Sequence, residues 1–193
     1  MRPVTTDEET VTAWALAAGR GDRQALESFV RATQRDVWRF LAYLAGPAAA
    51  DDLTQETYLR VLRSLRTFSA QSSARTWLLA IARRTAIDDH RARMRRPRTA
   101  TELDWETAAE RAQTAAPPTA GFEDLVETNL MLTALDDERR EALVLTQLIG
   151  LSYAEAAEIC GCPVGTIRSR VARGRDDLLS WSHPERDEGT SGI

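Results

Sequence analysis

A chain of 193 residues with 43% hydrophobic content and 28% charged residues has ample material for one or two small cores, and its net charge of −4 excludes a uniformly basic nucleic-acid coat. Its two cysteines, Cys160 and Cys162, are too close to bridge comfortably, and with His only at 90 and 183 no zinc-ligand set exists, so neither a disulfide scaffold nor a metal centre is expected. The start, MRPVTTDEET, lacks the apolar segment of a signal peptide and no stretch approaches a membrane span, which predicts a reduced, cytoplasmic protein.

In chain order, the acids after Thr6 predict a helix through Ala18, stopped by Gly19 and Gly21. Asp22 then caps a long helix in which Leu26, Phe29, Val30, Val37, Leu41 and Leu44 recur with helical period, ended by Gly46-Pro47. A third helix is expected from near Asp51 to about Leu65, with Leu53, Tyr58, Val61, Leu62 and Leu65 inward. Arg66 to Ser73 reads as a loop, and a fourth helix from Ala74 to about Met94 begins apolar around Trp77, Leu78, Ile81 and Ala82 and ends strongly basic. No strand-like alternation interrupts this half, so an all-α bundle is expected. Thr99 to Gly121 loses apolar periodicity, contains Pro117-Pro118, and reads as a flexible acidic linker.

A second helical unit is predicted from Phe122 to Ala134, then an Asp136-capped helix from Glu138 to Leu148, then two short helices across a tight turn. Ser152 and Glu155 form a capping box, Gly161 suits a left-handed helix end, and Pro163 suits the first turn of the next helix. On that last helix Val164, Ile167, Val171 and Leu178 form one predicted buried stripe. Arg168, Ser169, Ala172 and Arg173 lie opposite, Arg170 and Arg175 flank them, and no acid follows until Asp176. A helix, a glycine turn and a helix with a bare arginine face predict a helix-turn-helix, whose second helix enters a major groove. Arginine reads guanine edges with two donors and also neutralises phosphate. The tail after Leu179 reads as disordered.

Charge is segregated along the chain. Residues 75 to 98 carry eight arginines against Asp88 and Asp89, a local +6, and residues 164 to 175 carry four arginines unopposed. Between the two blocks, residues 99 to 124 sum to −5. All 25 basic residues are arginine, which reads as compositional bias and not as chemistry.

Three motifs in order, Asp51-Asp52-Leu53-Thr54-Gln55-Glu56-Thr57-Tyr58, then Trp77-Leu78-Leu79-Ala80-Ile81-Ala82 running to Asp88 and Arg91, then Gly165-Thr166-Ile167-Arg168-Ser169-Arg170, resemble the extracytoplasmic-function (ECF) group of bacterial sigma factors, nearest in texture to the actinobacterial SigC type. The resemblance spans roughly residues 10 to 180. It implies two small helical domains, a region 2 bundle over 1–98 and a region 4 helix-turn-helix over 122–180, joined by the linker 99–121, with a tail at 181–193. It also implies an RNA polymerase initiation subunit, whose partners are core RNA polymerase and promoter DNA. An anti-sigma factor is a further partner it admits, although no residue announces one.

Carried onto this chain, the resemblance assigns core polymerase binding to Asp52, Gln55 and Glu56, and −10 element binding to Arg75, Trp77, Arg83, Arg84 and Arg91. It assigns −35 reading to Thr166, Arg168, Ser169, Arg170, Ala172, Arg173 and Arg175. Where many relatives carry Asn, this chain has Arg84, which only donates hydrogen bonds. The rival is a stand-alone helix-turn-helix regulator, which accounts for residues 122 to 178 but not for the basic first half or the Asp52-Gln55-Glu56 face. An enzyme is not expected, for want of a Gly-rich phosphate loop or metal cluster, and no cofactor is expected. The acidic linker is a candidate shield for the two basic surfaces in the free chain, an effect that tethering would favour.

Overall fold

The computed structural model describes residues 7–95 and 131–182, and every regular element among them is helical. Helix α1 spans Glu8–Gly19 and α2 spans Arg23–Ala45, with Asp22 Oδ1 accepting from the Ala25 amide at 3.0 Å to cap the second. Phe29, Val37, Phe40 and Leu41 of α2 are fully buried and form the centre of the first bundle. Gly19 is the last residue of α1 and does more than stop it. A Cβ there would sit 2.6 Å from the Leu65 carbonyl oxygen, so only glycine lets α1 meet the 3-10 turn Leu65–Thr67.

Helix α3 spans Pro47–Ser64, beginning one turn earlier than the expected start near Asp51. Gly46, at φ +88, ends α2, and Pro47 opens α3 directly, because its missing N–H falls where a helix leaves donors unused anyway. Helix α3 buries Ala50, Leu53, Thr57 and Val61 as one stripe. The expectation that Leu62 points inward is therefore corrected. Leu62 lies one residue, about 100°, off that stripe and is 47% exposed, and Leu59 opposite is 49% exposed. Helix α4 spans Ala74–Arg95; Ser73 Oγ accepts from the Thr76 amide at its start, and the Ala74 amide donates to Thr12 Oγ1 of α1.

In the second half, residues 131–133 are helical, and the expected helix start at Phe122 lies outside the described residues. The linker 99–121 and the tail beyond 182 also lie outside them. Arg140 closes the end of that helix by donating to the carbonyls of Leu132, Thr133 and Leu135. Helix α5 spans Asp137–Leu143, capped by Asp136, and passes into a π turn, Val144–Leu148, that the sequence pattern did not announce.

Helix α6 spans Tyr153–Cys160 and α7 spans Val164–Ser182, three residues further than the expected end near Leu179. Ile167 and Val171 of α7 are buried in the core, where α7 packs on α5 and α6, whereas Val164, expected in the same stripe, is 41% exposed: it is the first residue of the helix, where the stripe runs past its packing surface. Gly174 is a second close approach, since a Cβ there would sit 2.8 Å from Leu143 Cδ1.

The two halves share one continuous core in which α4 packs on α6, and α2 reaches α5 and the π turn. No described helix is long and apolar enough to cross a membrane.

Candidate nucleic-acid interface

The helix-turn-helix is built as its sequence pattern requires. Ser152 Oγ accepts from the Glu155 amide at 3.2 Å while Glu155 Oε2 accepts from the Ser152 amide at 2.8 Å, and Gly161, at φ +64, closes α6 in the left-handed region. Two residues later Pro163 stands immediately before α7, its carbonyl accepting from Thr166 at 2.9 Å. The outer face of α7 then presents Arg168, Ser169, Ala172 and Arg173 to solvent, with Thr166 half-buried beside them. Ser169 Oγ turns back to donate to the Thr166 carbonyl at 2.9 Å.

The flanking arginines are engaged within the chain. Arg170, half-buried, pairs through Nη2 with Glu138 Oε2 at 2.5 Å and donates from Nη1 to Cys162 Sγ at 3.6 Å. Arg175 Nη2 donates to Gln147 Oε1 on the π turn. The expectation of an unopposed arginine face thus needs correction. In sequence no acid lies near, yet folding brings Asp136, Asp137 and Glu138 to a groove of about 430 Å3 shared with Thr166, Ser169, Arg170 and Arg173. Arg139, beside them, is occupied by Asp177 at 2.5 Å and Asp136 at 2.8 Å; its bond to Asp177 above all holds its pKa above the ordinary value.

The basic block of α4 divides in the same way. Arg75 pairs with Asp36 of α2 and, at 3.8 Å, with Glu8 of α1, which ties three helices together at the start of α4. Arg93 pairs with Asp89 at 2.5 Å. Arg83 Nε donates to Glu141 Oε1 of α5 at 2.5 Å; burial opposes its charge, but Glu141 holds it above the ordinary arginine value. Arg84 and Arg91 are exposed and have no carboxylate partner among the described residues. Trp77 is half-buried, its ring tilted 35° to Phe68 with centroids 4.7 Å apart, so it fixes the loop 68–73 onto α4. In that loop Ala70 adopts φ +55, a conformation few non-glycine residues take.

Trp77, Ile81, Arg84 and Arg91 line one wall of a cleft of about 740 Å3, with Arg60 and Asp88 at its side. Arg60 is held by Glu56 at 2.9 Å and Asp88 at 2.8 Å, and these two bonds raise its pKa. The cleft therefore offers two free guanidiniums beside an aromatic and apolar floor, the combination that suits a single strand with stacked or extruded bases.

On α3, Asp52 and Gln55 are exposed, and Glu56, which holds Arg60 at the side of that cleft, is half-exposed. Next to them stand Leu59 and Leu62, which the sequence pattern did not single out as functional. Their signal was the α3 stripe itself: once positions 50, 53, 57 and 61 take the core, both leucines must face outward.

Residues 29–96 match the family Sigma-70 region 2, and residues 126–178 match Sigma-70, region 4. The chain is 55% identical to the ECF RNA polymerase sigma factor SigC of Mycobacterium tuberculosis over 185 residues, covering 96% of this chain and 98% of that one. It is 31% identical to the ECF RNA polymerase sigma-E factor of Salmonella typhimurium, covering 86% of this chain and 90% of the other. Among solved structures, the complex of CnrH with the cytosolic domain of CnrY shares its fold, with TM-score 0.69 at 21% identity over 91% of this chain and 99% of that one. The sigma factor RpoE in complex with the anti-sigma factor NepR from Bartonella quintana gives TM-score 0.65 at 26% identity, covering 83% of this chain and 98% of the other.

Proposed function

From the premise that this chain belongs to the extracytoplasmic-function sigma factors, we propose a division of labour among its surfaces. As a member of that family it is an alternative sigma factor: it binds core RNA polymerase and promoter DNA and directs promoter recognition and transcription initiation. Sigma factors are regulatory initiation factors, not classical enzymes. The solved structure of RpoE bound to the anti-sigma factor NepR supports an anti-sigma factor as a partner here as well. The site of action is the cytoplasm, where the polymerase is.

The outer face of α7, Arg168 and Arg173 with Ser169, Ala172 and Thr166, reads the −35 element. Arg170 and Arg175, tied to Glu138 and Gln147, orient the helix and reach phosphates. Along α4, Arg84 and Arg91 with Trp77 and Arg83 meet the −10 strand, while Arg75, doubly paired, sets the start of the helix. The α3 face of Asp52, Gln55 and Glu56, extended by Leu59 and Leu62, docks on core polymerase. The domain limits that go with this reading are 1–98 and 122–180, with the linker 99–121 between.

The observation that carries the assignment is the contrast in pairing. Arg168, Arg173, Arg84 and Arg91 have no carboxylate partner among the described residues, whereas their neighbours at 75, 83, 93 and 170 do. Run-off transcription with purified core polymerase on a promoter library tests it. Arg168→Ala is expected to relax preference at one −35 position at a cost of about 1–3 kcal/mol, whereas loss of a phosphate contact weakens all sequences alike. Transcription that ignores Arg168→Ala at every position would refute the α7 assignment. Sequence-specific duplex binding with no stimulation of core enzyme would favour a stand-alone regulator.

A further inference from the structure

Helix α5 packs along α7, and its start carries three carboxylates to the side of the reading helix. Two of them serve their own helix: Asp136 caps α5 and holds Arg139 at 2.8 Å, and Asp137 lies 3.3 Å from Arg140. Glu138 crosses to α7 instead, with Oε2 2.5 Å from Arg170 Nη2. About two turns further along α7, Asp177 meets Arg139 of α5 at 2.5 Å. Between these two crossings Gly174 brings the helices so close that a Cβ would sit 2.8 Å from Leu143 Cδ1. The scaffold thus fixes where Glu138 stands relative to Arg170.

Arg170 is withdrawn from solvent while Arg168, Arg173 and Arg175 are exposed. Its side chain is only 18% exposed, and its second amino group, Nη1, donates to Cys162 Sγ at 3.6 Å in the turn before α7. The Glu138 side chain is 70% exposed, and an ion pair with so open a carboxylate contributes little to stability. What the pair does is place a charge. Thr166 stands four residues before Arg170 and Arg173 three after it, so all three share one flank of α7 and line the same groove. A loose guanidinium at 170 would reach the part of a duplex that Arg173 reaches. It would add a cation there that binds phosphate whatever the sequence.

We propose that Glu138 is a positioning residue for promoter reading: it holds Arg170 against the side of α7, so that Arg173 meets the base edges on that flank without a second guanidinium competing for them. An arginine shared with a carboxylate neutralises less than a whole phosphate charge, so the pair also lowers the part of duplex binding that ignores sequence. Discrimination is a difference of affinities, and it sharpens when attraction is withheld from the wrong sites. This rests on the assignment of α7 to the −35 element, and adds to it the residue of α5 that sets its selectivity.

The test compares holoenzymes assembled from core polymerase and the full chain as wild type, Glu138→Gln, Arg170→Ala and the double variant. Each is run on a promoter library randomised across the −35 element, with Arg173→Ala beside them to mark the base position that Arg173 reads. Glutamine keeps the length of Glu138 and removes its charge. Preference at the marked position should fall about fivefold in Glu138→Gln, the lower end of what one bidentate base contact discriminates. The slope of promoter-complex formation against log salt should steepen by about 0.9, the value of one further phosphate on B-DNA. Thermal unfolding should not change. In the Arg170→Ala chain the second substitution has no guanidinium to release, so the double variant should match Arg170→Ala alone.

Unchanged preference and salt slope in Glu138→Gln, with Arg173→Ala effective, would overturn the inference and leave the α7 assignment standing. A Glu138→Gln effect of equal size in the Arg170→Ala chain would overturn it too, because Glu138 would then act on DNA directly. So would uniform weakening at all promoters together with a lower unfolding temperature, which would make the pair structural. If Arg168→Ala and Arg173→Ala both leave every position unchanged, the α7 assignment itself fails, and the inference with it.

Discussion

Replacing Leu59 and Leu62 together by alanine tests whether the α3 face is a docking surface or a solvated one. Each side chain is about half exposed, at 49% and 47%, so half of its apolar surface remains to be buried by a partner. Full burial of a leucine contributes about 1.5–3 kcal/mol, so the exposed halves of the pair contribute about 2 kcal/mol on docking, close to a thirtyfold change in affinity. The folded monomer should hardly notice, because Ala50, Leu53, Thr57 and Val61 fill the core stripe without them. Surface substitutions of this kind stay within about 0.5 kcal/mol of wild type. The assay is competition of unlabelled variant against labelled wild-type chain for purified core polymerase, with thermal unfolding measured in parallel. Core affinity unchanged within about twofold (under ~0.5 kcal/mol) would refute the docking face. So would a large loss of stability with normal core binding, because the leucines would then be structural.

Three further outcomes follow from the packing and the titrating groups. Gly174→Val should destabilise the second domain by about 1–3 kcal/mol in chemical denaturation, since the new side chain begins 2.8 Å from Leu143 Cδ1 and 3.4 Å from Arg139 Cβ. Ser152→Ala removes the cap of a helix only eight residues long and should cost about 1 kcal/mol, read as a lower denaturation midpoint at unchanged slope. In alkali, Tyr58 and Cys160 are both held protonated by burial, their pKa values raised from 10.0 and 9.0 to about 12. Each therefore stabilises the fold fully below its unfolded value and loses that contribution as pH rises through the folded one. Stability should fall between about pH 9 and pH 12, and Cys160→Ala should flatten the lower part of that fall; an unchanged slope would refute burial of the thiol.

Much of the helical order was legible because local chemistry dictates it. Asp22, Asp136 and the Ser152–Glu155 box cap helices where their side chains can reach backbone donors three residues on. Gly161 sits at φ +64 because a helix end needs a left-handed residue. The errors fell where a pattern meets an edge. Pro47 was read as a stop although it is also a start, and the Val164 and Leu62 positions follow apolar periodicity but not the surface available to pack on. The π turn Val144–Leu148 left no mark that a periodicity count could detect, since apolar residues flank Thr146 and Gln147 closely on both sides and suit either kind of helical turn.

The candidate site was legible in residue type and much less so in pairing. Arg75, Arg83, Arg84 and Arg91 are alike in sequence, equally basic members of one helix. Distance along the chain hides the carboxylates that sort them: Asp36 lies 39 residues from Arg75, and Glu141 lies 58 residues from Arg83. The same holds for Arg170 of α7, whose partner Glu138 belongs to α5, with α6 between them in the chain.

By itself, then, the sequence determined what is local. It set the helices with their caps and breaks, the helix-turn-helix, the segregation of charge, and through three ordered motifs the family. Only the tertiary structure decided which charges are free, which apolar residues face outward, and that the second domain lies against α4. Periodicity and capping act over one or two turns of chain, where neighbours in sequence are neighbours in space. Ion pairing and burial depend on which distant surfaces meet, and a buried charge such as Glu141 acquires its partner only when whole helices have docked.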